Sequence, residues 1–105
     1  MAYSHQDCAD ACAEVIKHAS HCLEQCIDME GMGRCPHLQR DAVAVATACL
    51  QLCAAGSDMH AHLCRACAEI CEEMARVAGG HDHDHCQDSA AAARRCAEIC
   101  RAMAA

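Results

Sequence analysis

Residues 8–27 read CADACAEVIKHASHCLEQCI, with cysteine at positions 8, 12, 22 and 26. An α-helix turns by about 100° per residue, so these four cysteines fall within one arc about 80° wide. Ile16, Leu23 and Ile27 form a second apolar stripe beside that arc. The pattern predicts a long helix that presents a cysteine seam to a protein interior and an aliphatic seam to a neighbouring helix or subunit.

Cysteine pairs with this four-residue spacing recur along the chain and use ten of its thirteen cysteines. Residues four apart on a helix share a face, so every pair predicts two thiols side by side. The five pairs are Cys8/Cys12, Cys22/Cys26, Cys49/Cys53, Cys67/Cys71 and Cys96/Cys100.

Helix breakers divide the chain into four segments rich in Ala, Glu, Gln, Leu and Arg, which favour helix. Start signals agree with the divisions: Ser4 with Asp7 resembles a capping box, Ser57–Asp58 is suited to cap the third helix, and Pro36 is suited to the first position of the second. Short connections make neighbouring helices antiparallel. We therefore predict an all-α fold, an antiparallel four-helix bundle with a cysteine-lined core. It forms a single domain over residues 1–105, with helices near 4–30, 36–55, 58–78 and 84–103.

The composition excludes several classes of function. The chain has 105 residues with 15 acidic and 8 basic side chains, a net charge of −7 that argues against nucleic acid or an anionic membrane as partner. Its mean hydropathy is −0.02, and no apolar run approaches the roughly 20 residues that cross a bilayer, so we expect a soluble protein. Tyr3 is the sole aromatic residue, and the core must therefore be built from aliphatic side chains and thiols.

The spacing of the pairs points to a soft metal ion. Cβ atoms four residues apart on a helix are about 5–6 Å apart, whereas a disulfide needs about 3.5–4.5 Å. Thiolates select Cu(I), zinc or iron–sulfur clusters, and the last two take four ligands. Because Cu(I) accepts two or three sulfurs, one pair already makes a site. A row of pairs along the bundle axis predicts a non-enzymatic protein that stores or buffers several Cu(I) ions.

Further soft ligands gather at one end of the predicted bundle, where weaker thioether and imidazole ligands would pass Cu(I) to the interior thiolates. The competing interpretation is that the methionines are packing residues and that the alternating His–Asp run is a solvated loop. These candidate mouth ligands are Met29, Met32, Cys35, His37, His81, His83 and His85.

Three segments carry a resemblance to a known family: Cys64-Arg-Ala-Cys67-Ala-Glu-Ile-Cys71-Glu-Glu, His81-Asp-His-Asp-His-Cys86-Gln, and the ending Cys96-Ala-Glu-Ile-Cys100-Arg-Ala-Met-Ala-Ala. Together they resemble the bacterial copper storage proteins, the Csp family, in its cytosolic branch. The resemblance covers essentially the whole chain. It implies a cytoplasmic homotetramer of four-helix bundles that each bind many Cu(I) ions, with His83 and His85 at the mouth. The implied core ligands are Cys8, Cys12, Cys22, Cys26, Cys49, Cys53, Cys64, Cys67, Cys71, Cys86, Cys96 and Cys100.

The sequence also departs from the pattern of the family it resembles. Ser89 and Ala93 stand where the family commonly has cysteine, and Ala42 and Ala46 occupy the inward arc of the second helix. We therefore expect a reduced capacity and a column of sites that is interrupted midway.

Two other interpretations stay open. The bundle could have lost storage and keep its cysteines as packing or as interhelical disulfides. A redox enzyme would depend on Cys64-x-x-Cys67, but this motif lacks the βαβ context that gives it meaning. The first residues have neither the basic nor the apolar region of a secretory signal, so we expect a cytoplasmic protein with reduced thiols, which exchanges copper with a chaperone or a small chelator.

Overall fold

The structure is a computed structural model that describes residues 2–105 of the chain. It contains four helices, α1 (His5–Cys26), α2 (Cys35–Ala55), α3 (His60–Ala78) and α4 (Asp84–Ala104). Each helix packs against the next one along the chain, and α4 packs against α1 to close the ring. The principal extents are 42 × 22 × 17 Å. The predicted antiparallel four-helix bundle is confirmed.

The first helix begins where the sequence predicts and ends earlier. Asp7 donates its backbone N–H to Ser4 Oγ at 3.1 Å, and Ser4 donates its own to Asp7 Oδ2 at 2.8 Å, so the capping box is present. The predicted end near residue 30 is wrong, because α1 stops at Cys26. The Met29 N–H donates to the Cys26 carbonyl at 3.1 Å, and this tight turn starts the chain on its return toward α2.

The connection between α2 and α3 also differs in detail from the prediction. Gly56 ends α2 in the left-handed conformation (φ +66°), and its N–H donates to the Cys53 carbonyl at 3.1 Å. Ser57 Oγ accepts a hydrogen bond from the Met59 N–H at 3.1 Å. Ser57 therefore shapes the turn, and α3 begins later than predicted, at His60.

The core is built from sulfur and small aliphatic side chains. All thirteen cysteines are buried, together with Val15 and Ala19 of the same α1 arc. Ile16 and Leu23 of the second stripe are half-buried, and Ile27 is 59% exposed. Among residues 2–105, no helix has the length and apolar character needed to span a membrane.

Candidate metal centre

One end of the bundle brings nine thiols together. The halves of the four helices that meet there place every one of these sulfur atoms within 3.9 Å of another, and the shortest separation, Cys8 to Cys53, is 3.0 Å. All of them are free thiols. This nine-cysteine cluster consists of Cys8, Cys12, Cys49, Cys53, Cys64, Cys67, Cys71, Cys96 and Cys100.

The nine-cysteine cluster contains three overlapping sets of four thiols. Within each set all sulfur atoms lie within 4.8 Å of one another. Each set includes one of the four-residue pairs, completed by thiols from other helices. Because neighbouring sets share thiols, ions bound in two of them can be bridged by the same thiolates. The sets are Cys8/Cys49/Cys53/Cys64, Cys8/Cys12/Cys49/Cys100 and Cys12/Cys67/Cys96/Cys100.

The opposite end holds a smaller cluster of mixed ligands. The sulfur atoms of Cys22, Cys26 and Cys35 lie within 4.8 Å of one another, and Cys22 Sγ is 4.0 Å from Cys86 Sγ. We call these residues the four-cysteine cluster. The Nδ1 atom of His85 lies 3.3 Å from Cys22 Sγ and 3.5 Å from Cys86 Sγ. A metal ion here could therefore be held by sulfur and nitrogen together.

The loop before α4 helps to fix the position of His85, the second residue of that helix. Gln87 Nε2 donates hydrogen bonds to the carbonyl oxygens of Gly79, at 3.0 Å, and His81, at 2.6 Å, which ties the loop to the end of α3. The exposed ring of His83 stacks on the half-buried ring of His85, with centroids 5.3 Å apart. The two stacked imidazoles lead from solvent to the four-cysteine cluster.

Burial shifts the pKa values of His85 and of the thiols beside it. Burial lowers the pKa of His85, and the neighbouring His83 lowers it further, so the imidazole is neutral near pH 7 and its nitrogen can bind a metal. Burial also raises the pKa of Cys22, with a contribution from Cys86, and raises the pKa of Cys86 to about 11. These thiols stay protonated until a metal ion displaces the proton.

In the nine-cysteine cluster, hydrogen bonds between thiols shift the pKa values of individual cysteines in opposite directions. The hydrogen bond to Cys100 is the main cause that raises the pKa of Cys67. The pKa of Cys100 is lowered, because neighbouring thiols, Cys12 first, donate to its sulfur. A thiolate surrounded by S–H donors is stabilised while its neighbours keep their protons. A Cu(I) ion that binds to a protonated thiol of this cluster would release its proton.

A layer without thiols separates the two clusters. Cys22 lies ten positions after Cys12 on α1, and Cys96 lies ten positions after Cys86 on α4, which corresponds to about 15 Å along each helix. The column of cysteines is thus interrupted midway, as the sequence predicts. The buried side chains of this middle layer include Val15, Ala19, Gln39, Ala42, Ala46, Met74, Ser89, Ala90 and Ala93.

The polar groups of the middle layer bond to one another. Ser89 Oγ donates to Gln39 Oε1 at 2.5 Å and lies 3.6 Å from Met74 Sδ. Gln39 Nε2 donates to Cys35 Sγ at 3.5 Å, which connects the layer to the four-cysteine cluster. In residues 2–105 no buried side-chain nitrogen or oxygen lacks a partner.

The family profile described as "Copper storage protein" matches residues 1–105 of this sequence. The chain belongs to the copper storage protein family. A relative, the uncharacterized cysteine-rich protein YhjQ of Bacillus subtilis (strain 168), is 35% identical over 101 residues, which cover 93% of this chain and 94% of the relative.

Solved structures of copper storage proteins have the same fold. The Cu(I)-bound copper storage protein BsCsp3 matches with a TM-score of 0.90 and 34% identity, covering 95% of this chain and 97% of its own. The apo form of copper storage protein 3 from Bacillus subtilis matches with a TM-score of 0.89 and 36% identity, covering 95% and 98%. This bundle therefore resembles a metal-free and a metal-bound relative almost equally well.

The structure distributes the predicted mouth ligands unevenly in this copper storage family member. Cys35 is fully buried and belongs to the four-cysteine cluster, and Met32 is buried near the start of α2. Met29 and His37 are exposed, and His37 lines a shallow groove on the outside of the bundle. Of His81, His83 and His85, the last is the one whose ring nitrogen lies beside thiols.

Sequence reasoning missed Gln39 and Met74, which are both completely buried in the middle layer. A signal for each was present in the spacing. Gln39 lies four positions after Cys35, and Met74 lies three positions after Cys71, so each shares a helix face with a core cysteine.

Proposed function

We propose that this copper storage family member stores or buffers several Cu(I) ions per chain in the cytoplasm, with thiolates as ligands and without catalysing a reaction. The observation that carries the proposal is the nine-cysteine cluster, in which buried thiols from all four helices form one continuous network of sulfur contacts. The match to a Cu(I)-bound relative over nearly the whole chain supports the same metal here.

The shared thiols favour Cu(I) over separate zinc sites. Isolated tetrahedral zinc sites each need four ligands of their own, but Cys8 and Cys49 serve two sets, and Cys12 and Cys100 also serve two. A thiolate that bridges two ions suits a monovalent soft cation, because each Cu(I) neutralises one thiolate charge. Charge balance sets an upper capacity of roughly one ion per thiol.

We assign the arrival and release of Cu(I) to the end of the bundle that holds the four-cysteine cluster. The imidazole of the half-buried His85 lies next to Cys22 and Cys86, and the ring of the exposed His83 stacks on it. Ligand exchange from imidazole to thiolate then moves Cu(I) inward, with a proton leaving each thiol that binds. A copper chaperone or a small chelator would deliver and remove the ion at this end.

We also infer that four copies of the chain assemble. Ile27 is largely exposed, and Val43, Val45 and Leu50 on α2 are only half-buried in a single chain, so apolar surface is left for contact between subunits. Native mass spectrometry of the reduced protein is expected to show a tetramer. A monomer under the same conditions would contradict this assembly.

The test of storage is an anaerobic titration of the fully reduced protein with Cu(I) in competition with a chromogenic chelator, with thiols counted on the same sample. We expect close to thirteen titratable thiols, many tight equivalents of Cu(I) per chain, and an unchanged helical circular dichroism spectrum. Fewer than two tight equivalents would overturn storage. A thiol count near one in protein purified without reductant would favour interhelical disulfides instead.

Location is tested separately from binding. All thirteen cysteines are free and buried, a state that reducing compartments maintain. Fractionation of cells that express the chain is expected to recover it with cytoplasmic markers. Recovery with periplasmic or secreted markers would overturn the cytoplasmic assignment and leave the copper-binding proposal intact.

A further inference from the structure

Among residues 2–105, Met74 supplies the only sulfur atom of the buried side chains in the middle layer. Its side chain is fully buried, and its Sδ atom lies 3.6 Å from Ser89 Oγ. Neither cluster includes it, and storage by thiolates does not require it. The layer's other polar atoms, on Gln39 and Ser89, are oxygen and amide nitrogen, which are poor ligands for a soft cation.

The distance between the clusters makes a ligand in this layer necessary for transfer. A bond between sulfur and a metal of this size is about 2.3 Å long, so two sulfurs can share an ion only when they lie within about 4.6 Å of each other. The cysteines of α1 and α4 on either side of the layer are about 15 Å apart along their helices. Along α1 and α4 an ion therefore cannot pass directly from a thiolate of one cluster to a thiolate of the other.

Met74 lies in the middle layer, between the two cysteine clusters. It is three positions from Cys71, hence one turn further along the same face of α3. Across the axis it meets Ser89, which is itself three positions from Cys86 on α4. Met74 therefore lies between Cys86 and Cys71, about one helical turn from Cys71, and rotation of its flexible side chain can bring Sδ closer to either cluster.

We propose that Met74 is a transit ligand for Cu(I), which carries ions between the four-cysteine cluster and the nine-cysteine cluster; this inference rests on the proposed storage function. The ion stays Cu(I) throughout, so no electron is transferred. The thiolate that it leaves, on Cys35 or Cys86, regains a proton, and the thiol of Cys71 loses one as the new Cu–S bond forms.

The chemistry of the layer makes it a passage and not a storage site. The thioether of Met74 is neutral, so a cation beside it lacks the compensating charge that a thiolate provides. The Ser89 hydroxyl and the Gln39 amide oxygen offer dipoles that partly solvate the ion during its passage. Filling therefore takes place in two phases, a fast one for the four-cysteine cluster and a slower one for the nine-cysteine cluster.

The test is stopped-flow transfer of Cu(I) from a coloured chelator complex to the reduced full-length protein. Met74→Leu keeps an apolar side chain of similar size and removes the sulfur, so we expect the slow phase to become about tenfold slower or more. The fast phase and the final number of ions are expected to stay as in the unmodified chain. Met103→Leu is the matched control, because Met103 is a half-buried methionine outside the middle layer.

Ser89→Cys gives an independent second variant with the opposite expectation. It adds a thiol next to Met74 Sδ, so the slow phase should accelerate toward the fast one. Circular dichroism of each metal-free variant checks that the bundle is folded. A slow phase in Met74→Leu that equals the one in Met103→Leu, together with no acceleration in Ser89→Cys, would overturn the transit role, as would filling of the unmodified chain in a single phase.

The same data separate this inference from the proposed function. If the unmodified chain binds fewer than two tight Cu(I), storage itself fails and the transit role fails with it. If the unmodified chain binds many ions and Met74→Leu fills at the normal rate, storage stands and the transit role alone is wrong.

Discussion

The two ends of this bundle arrange the same residue type in different ways. At one end nine thiols lie in contact with one another, and shared sulfurs link them into one network. At the other end two of the four thiols lie beside an imidazole, and that imidazole stacks on a ring exposed to solvent. Under the proposed function, this difference assigns the capacity for Cu(I) to the shared sulfurs and the access of Cu(I) to a few weaker ligands at the rim.

The largest difference between the ends should appear in capacity. Cys8→Ala/Cys49→Ala removes two thiols that each belong to two sets, whereas Cys26→Ala/Cys35→Ala removes two thiols that each belong to one. Charge balance alone predicts a loss of about two equivalents of Cu(I) from either variant. We expect the first variant to lose roughly three or more, because each of its missing thiols is a ligand in two sets and its loss weakens both. Competitive anaerobic titration measures both, and equal losses would contradict the importance of shared thiols.

The next prediction concerns the layer that keeps the two ends apart. Ser89→Ala leaves the buried Gln39 Oε1 without its 2.5 Å hydrogen bond, so the free energy of unfolding of the metal-free protein should fall by about 1–3 kcal/mol. Removing both partners in Gln39→Leu/Ser89→Ala should recover most of that loss. Denaturant unfolding under reducing conditions gives both values. A double variant as unstable as the single one would show that the hydrogen bond is not the cause.

The contrast in access can be tested through His85. His85→Leu removes the nitrogen that lies beside Cys22 and Cys86 while keeping an apolar side chain, so we expect the first Cu(I) equivalents to load about three- to tenfold more slowly. The final number of ions should change by at most about one. His37→Leu is the matched control, since His37 is exposed on the outside of the bundle. Equal loading rates in the two variants would remove His85 from the route.

The smallest effect is expected on the surface, where Glu73 joins α3 to the loop after α1. Hydrogen bonds from Arg76 and Arg34 lower the pKa of Glu73 to about 2. A carboxyl group whose pKa is lower in the folded protein stabilises the fold at pH values above its pKa in the unfolded chain, which is about 4.3. This contribution disappears as the pH falls toward 2. Glu73→Gln should lower the melting temperature slightly at pH 7 and not at pH 2. The same small drop at both pH values would rule out the ion pairs as its source.

The sequence alone predicted the bundle and the inward cysteine seam because both depend on periodicity within one helix. Cys8 and Cys12 must share a face whatever they pack against. The depth of Gln39 and Met74 was not predicted, since it depends on how far α2 and α3 rotate toward the axis. The position of His85 depends on the hydrogen bonds of Gln87 to the loop, which no local pattern reveals.

The early end of α1 has a similar cause. Helix propensity favours continuation beyond Cys26, but the chain must turn back to place Cys35 beside Cys22 and Cys26. A requirement of the tertiary structure therefore overrides a local preference. Whether Cys35 lies at the rim or in a buried cluster depends on this turn. The sequence alone therefore did not decide between the two positions.

The buried alanines of the middle layer indicate how the amount of bound metal can change among related proteins. Ala42, Ala46 and Ala93 are completely buried on the same axis as the thiols, and each differs from cysteine by a single sulfur atom. Exchanges of this size disturb a packed core only modestly, and they leave the helices and turns untouched. One scaffold can thus give rise to a graded series of descendants that hold more or less metal, and selection can adjust that quantity one residue at a time.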